Sequence, residues 1–70
     1  MDTLEPGLYR HFKGGRYEVL EVARDSETER SMVVYRALRD GSLWVRSLVM
    51  FTESVEVDGV SRPRFERDLG

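Results

Sequence analysis

Along this chain of 70 residues the apolar positions come in short runs closed off by polar clusters, a pattern of strands and not of helices. Val19, Leu20, Val22 and Ala23 form one run; Met32, Val33, Val34, Tyr35, Ala37 and Leu38 form another. Both are rich in β-branched and aromatic residues, which suit a pleated, half-buried surface. No helical period persists anywhere. Adjacent Val19 and Leu20 must point to opposite faces, so a bulge near Glu21 or a strand covered on both sides is expected.

Turn signals divide the runs. Gly14-Gly15 predicts a two-residue hairpin loop that sets Lys13 against Arg16, Phe12 against Tyr17, His11 against Glu18 and Arg10 against Val19. Asp40-Gly41 predicts a second hairpin, with Ala37 opposite Trp44 and Tyr35 opposite Arg46, and Asp58-Gly59 a third, with Val57 opposite Val60 and Val55 opposite Arg62. Between the first two hairpins, Ser26 and Glu29 have capping-box spacing, enough for a single helical turn in the polar loop Asp25–Ser31. Met50–Ser54 suggests a short 3₁₀ turn. The expected fold is all-β: a small five-stranded SH3-like barrel of antiparallel strands with short 3₁₀ turns, one domain over residues 1–70, an open antiparallel sheet being the alternative.

Size sharpens this picture, because a domain this short buries only about 60% of the surface its unfolded chain exposes and has little room for an enclosed active site. The sequence has no cysteine and one histidine, which rules out disulfides and thiolate zinc sites and limits any metal to one imidazole plus oxygens. The opening Met1–Pro6 has neither a basic nor an apolar leader region, and no apolar run is long enough to span a bilayer, so a soluble cytoplasmic protein is expected. Net charge is only −2, yet the cations are ten arginines and a single lysine. Arginine's planar fork pairs with carboxylates and phosphates and stacks on rings, whereas lysine is a hydrated point charge. Arginines paired with the thirteen acids are the plainer account, since there is no basic excess.

Several segments together are similar to one family. Gly7-x-Tyr9-Arg10-His11-Phe12-Lys13-Gly14, Tyr17-Glu18-Val19-Leu20, Ser26-Glu27-Thr28, Val33-Val34-Tyr35-Arg36-Ala37-Leu38, Leu43-Trp44-Val45-Arg46 and Pro63-Arg64-Phe65 resemble the bacterial domain-of-unknown-function family 1653, over roughly Gly7 to Glu66. The resemblance implies a compact β-barrel-like bacterial domain and brings no activity, substrate or cofactor. Asp25 and Ser47 stand where the family pattern often has histidine and proline, and the first difference weakens the Ser26 loop as an anion site.

Five chemistries can be assembled from the residues. His11 with Ser26, Glu27 or Glu29 has the residue types of a nucleophile, base and acid set, but that needs mutual hydrogen-bond reach and a pocket. A metal held by His11, Glu18 and Glu27 lacks any ligand spacing, and no catalytic residue, metal or cofactor is expected. Arg10, Lys13, Arg16 and the Gly14-Gly15 amides offer a cradle for a small anion, set against hydrated charges at a turn. Exposed aromatics flanked by cations suit nucleic acid, and a groove lined by Trp44, Tyr9 and Tyr17 suits a peptide. Against both stands the need of a small domain to bury its rings, which points to the core for Phe12, Tyr35 and Phe51.

The reading that results is a non-enzymatic binding or adaptor module, with a protein or a nucleic acid, RNA in particular, as its partner. It is expected to be a monomer or weak homodimer without membrane contact. The residues that would form its surface are Arg10, His11, Lys13 and Arg24, with Ser26, Thr28, Trp44 and Arg46. Arginines would engage anionic groups, and Trp44 would stack.

Overall fold

A computed structural model describes residues 3–68 of the single domain expected over 1–70; Met1 and Asp2 of the leading segment, and the last two positions, lie outside them. The described chain is all-β, mostly antiparallel, with one short helix. The strands are β1 (Gly7–His11), β2 (Arg16–Arg24), β3 (Ser31–Ala37), β4 (Leu43–Ser47), β5 (Ser54–Val57), β6 (Val60–Pro63) and β7 (Phe65–Arg67), and α1 (Leu48–Thr52) follows β4.

A five-stranded sheet has the order β4-β3-β2-β1-β7, and β5-β6 form a separate hairpin. Among the described residues no ladder joins β4 to β7, so the hydrogen bonding is that of an open antiparallel sheet, the alternative expected, and not of a closed ring. The strand β7, to which sequence reasoning gave no element, returns to β1 and sets His11 opposite Phe65.

Local chemistry explains where the predicted turns hold and where they move. The Asp58-Gly59 hairpin has the expected register, with Val57 opposite Val60 and Val55 opposite Arg62. The first hairpin does not: Arg10 faces Arg16 and Tyr9 faces Tyr17. The N–H of Gly14 donates to the His11 carbonyl at 2.7 Å, and the N–H of Phe12 goes to the Arg64 carbonyl at 2.9 Å, so Phe12 leaves the β1–β2 ladder and the loop widens to residues 12–15. His11 therefore has Phe65, and not Glu18, across from it. The second hairpin also widens, because Ala37 closes on Ser42, and Tyr35 meets Trp44 in place of Arg46. That slip is by an even number of positions, so Tyr35, Trp44 and Arg46 still share one face.

Two further expectations resolve locally. The bulge near Glu21 is present: Val19 pairs with Tyr35 and Glu21 with Val34, leaving Leu20 as the extra residue. In the loop after β2 it is Asp25, not Ser26, that caps, its Oδ1 accepting from the N–H groups of Glu27 at 2.8 Å and Thr28 at 3.2 Å. The turn expected at Met50–Ser54 is instead the one-turn α1, begun by Ser47, whose hydroxyl accepts from the Met50 N–H at 3.2 Å.

The core lies on the concave face of the sheet and is largely aromatic. Tyr9, Val19, Val33, Tyr35, Phe51 and Phe65 are buried there, with Leu4, Tyr17 and Leu48 packed against them. Phe51 from α1 lies flat on Phe65 from β7, with centroids 3.9 Å apart and planes at 4°. Tyr35 and Phe51 are thus core as expected, whereas Phe12 is half-buried beside His11.

Candidate functional site: an arginine–aromatic groove

Trp44 sits near the middle of β4, directly across from Tyr35, on the same concave face as the core. Tyr35 is buried by the rings around it, while the edge position of β4 leaves Trp44 54% exposed. Its indole is nonetheless held. The indole N–H donates to Ser42 Oγ at 2.8 Å, and the Ser42 hydroxyl donates to Asp40 Oδ1 at 2.7 Å. The Ser42 N–H reaches the same carboxylate oxygen at 3.0 Å. These bonds hold the Asp40 carboxyl below its usual range, the Ser42 hydroxyl contributing most. An indole whose N–H is already bonded offers a partner its flat face.

Grooves run along both sides of this ring. One, of about 540 Å³, is lined by Gly15, Arg16, Tyr17, Arg39, Trp44 and Arg46, among others, and no acidic residue lines it. The second, of about 560 Å³, carries Thr28, Arg30 and Met50 on its far side. Tyr17 contributes an edge-on ring 5.4 Å from Tyr35, and glycine at position 15 lets that ring lie close, since a Cβ there would come within 3.0 Å of it. In this turn it is Gly14, at φ 103°, that uses the left-handed freedom of glycine.

The first groove has arginines and no acid in its lining, whereas Asp25 also lines the second. Burial lowers the His11 pKa first, and the guanidinium groups of Arg46 and Arg64 with the ammonium of Lys13 lower it further. His11 Nδ1 accepts the Lys13 N–H at 3.1 Å, and its ring lies 4.8 Å from Phe65. Arg64, which sequence reasoning passed over, places Nη2 2.9 Å from Glu53 while its buried Nε has no hydrogen-bond partner among the described residues. Its position between Pro63 and the core ring of Phe65 was the available signal.

The eight residues expected to form one surface are only partly brought together. Trp44, Arg46 and Thr28 border one groove, whereas His11 ends β1 opposite Phe65 and Lys13 lies in the turn that follows. Arg24 and Ser26 stand exposed at the other end of β2, a strand of nine residues or about 25 Å. The same span keeps His11 from Ser26, Glu27 and Glu29, so no catalytic set forms among them. Arg10 points to the convex face, not to that of Tyr17, and lies 3.5 Å from Asp68. Glu18 also falls on the convex face, between Leu8 and Arg36, and is not a neighbour of His11. Arg39 and Tyr17 take part instead, brought in by the wider turns.

Comparison with known proteins adds a family and a fold. The family model described as protein of unknown function, DUF1653, matches residues 7–67. A crystal structure of a protein of that family from Bordetella bronchiseptica is similar at 35% identity with a TM-score of 0.86, over 93% of this chain and 87% of that one. No curated protein matches the chain.

Proposed function

The chain belongs to the DUF1653 family, whose function is not known, and from the surface of this member we propose that it is a non-enzymatic binding module for single-stranded nucleic acid, RNA in particular. The reading includes an SH3-like curl of the sheet, with the groove beside Trp44 as its binding surface. One observation carries it: a Trp44 indole bonded through its N–H to Ser42, with its face bare, stands in a groove lined by Arg39 and Arg46 and by no acid, the Arg16 guanidinium being turned to Asp68. A base has a flat face and a phosphate a negative charge, and that pairing is what ring and guanidiniums complement. Stacking on an aromatic is worth about 1–3 kcal/mol per base and tolerates any sequence. An extended peptide is the other occupant considered; the guanidiniums beside the ring match it only where it is acidic, whereas every nucleotide brings both a flat base and a phosphate.

The test is fluorescence anisotropy of a labelled mixed-sequence oligoribonucleotide, at low and at physiological salt, with Trp44 emission followed in parallel. Binding that weakens steeply with salt, quenches Trp44 and disappears in Trp44→Ala supports the reading. Flat anisotropy at low salt overturns it and leaves a protein partner for the same face.

A further inference from the structure

The two edges of the main sheet are treated differently by the sequence. The β7 edge is three residues long, follows Pro63 and carries Glu66 and Arg67, all features that discourage pairing with another chain. The β4 edge is longer and its one charged residue is Arg46. Leu43–Ser47 contains no proline, lysine or acid, and its register with β3 runs unbroken from Met32–Ser47 to Arg36–Leu43. Its convex-face side chains are bare, with Leu43 60% and Val45 63% exposed. Beyond its end lies Val49 of α1, exposed at 76%.

The order of residues in β4 says what would cover it. Laid antiparallel against itself about Val45, the strand sets Val45 on Val45 and Leu43 on Ser47 on the convex side. On the concave side each Trp44 then meets the Arg46 of the other copy, twice, by the two-fold symmetry. Directly opposed residues stand close enough for a cation over a ring, a favourable contact at a partly exposed site. Centring the pair on Arg46 would press guanidinium on guanidinium, and centring it on Trp44 would put Arg46 against Ser42 and lose both cation–ring contacts. The Val45 register also keeps the two concave faces on the same side, because a residue opposed to itself preserves the alternation.

We propose that β4 is the seam of a symmetric homodimer, two copies of this chain pairing antiparallel about Val45 to make one continuous sheet. This goes beyond the binding reading, and it joins two grooves end to end across the seam. Five residues a side make a small interface, so the dimer is concentration-dependent and weak.

Sedimentation velocity on the full chain, from low-micromolar to millimolar concentration, tests the proposal together with a half-labelled sample that detects contacts between copies only. The expected result is an apparent mass that rises toward twice the monomer, with cross-copy contacts between Val45 methyl groups and between the Trp44 indole and Arg46. Val45→Arg sets two like charges on the symmetry axis and is expected to stay monomeric throughout with an unchanged melt, since the residue is exposed. A wild-type chain that remains monomeric at every concentration overturns the proposal. So does a dimer that survives Val45→Arg, or one whose cross-copy contacts lie elsewhere.

Discussion

The guanidinium carbon of Arg46 lies 5.8 Å from the ring centre of Phe65, so one side chain reaches from the edge strand β4 to the edge strand β7. No ladder spans that distance among the described residues, and the Arg46 cation over a core ring is a direct tie between the two edges. The same Arg46 lines the groove beside Trp44, which couples the curl of the sheet to the binding surface.

Arg46→Lys keeps the charge and loses the planar stack. The expected cost is about 0.5–1 kcal/mol in urea unfolding, the range for a cation over a ring at a partly exposed site. An unchanged midpoint would show that the ring contact holds nothing.

The stacked pair Phe51 and Phe65 carries more of the fold. Phe51 is 1% exposed and is the buried residue of α1, so the helix is pinned through it. Phe51→Ala is expected to cost about 3–5 kcal/mol, which in a domain of this size is most of the stability. Circular dichroism should show a chain largely unfolded at room temperature, while Phe51→Leu stays folded with a lower melting temperature.

Much of this architecture was legible in the chain, and the failures share a cause. The strands β2 and β3 and the bulge at Leu20 followed from periodicity, because side-chain alternation is a local property. The Asp58-Gly59 turn followed because its residues choose their own backbone geometry, Asp58 sitting at φ 52°. The first hairpin failed because a distant group intervened: Arg64, remote in sequence, takes the N–H of Phe12. Tyr35 kept its place on the face of Trp44 and Arg46 through a slipped register because the slip was even. Arg10 was misplaced because its slip was odd, and Arg39 and Arg64 were missed because loop width and a return strand, not their neighbours in sequence, bring them in.

On the convex face β1 and β2 set Arg10 opposite Arg16, a like-charged pair that destabilises a ladder unless it is neutralised. Asp68 neutralises it: its side chain is 3% exposed, 2.7 Å from Arg16 Nε and 3.5 Å from Arg10 Nη2. Asp68→Asn is expected to lower stability by about 1 kcal/mol, more than an ordinary surface pair, because it also leaves two cations facing each other. Added salt should recover part of the loss by screening that repulsion, and a variant that melts identically in low and high salt would contradict this account.

The lowered pKa of His11 has a consequence for acid stability. Its folded-state value lies below the ordinary 6.5, so between the two values the unfolded chain binds more protons and stability falls as pH falls. Protonation must also displace the Lys13 N–H from Nδ1. Melting temperature is therefore expected to drop as pH is taken from above 6.5 to below it, and His11→Gln is expected to flatten that part of the profile. A wild-type profile no steeper than that of the variant would remove His11 as the cause.

Asp40 touches neither groove, yet it orients the residue on which binding is proposed to rest. Its carboxylate accepts from both the hydroxyl and the N–H of Ser42, and the Ser42 oxygen in turn accepts the indole N–H of Trp44. Asp40→Ala releases Ser42 and with it the ring, at little cost to the fold because the loop is exposed. The expected result is faster local motion of Trp44 in time-resolved fluorescence anisotropy, and weaker binding of an oligoribonucleotide by a few-fold, with an unchanged salt dependence because no cation is lost. Asp40→Asn, which still offers an oxygen to Ser42, should recover part of both. A ring that stays rigid in Asp40→Ala would mean that Tyr35 and the strand pairing alone fix Trp44, and that Asp40 and Ser42 serve only the turn.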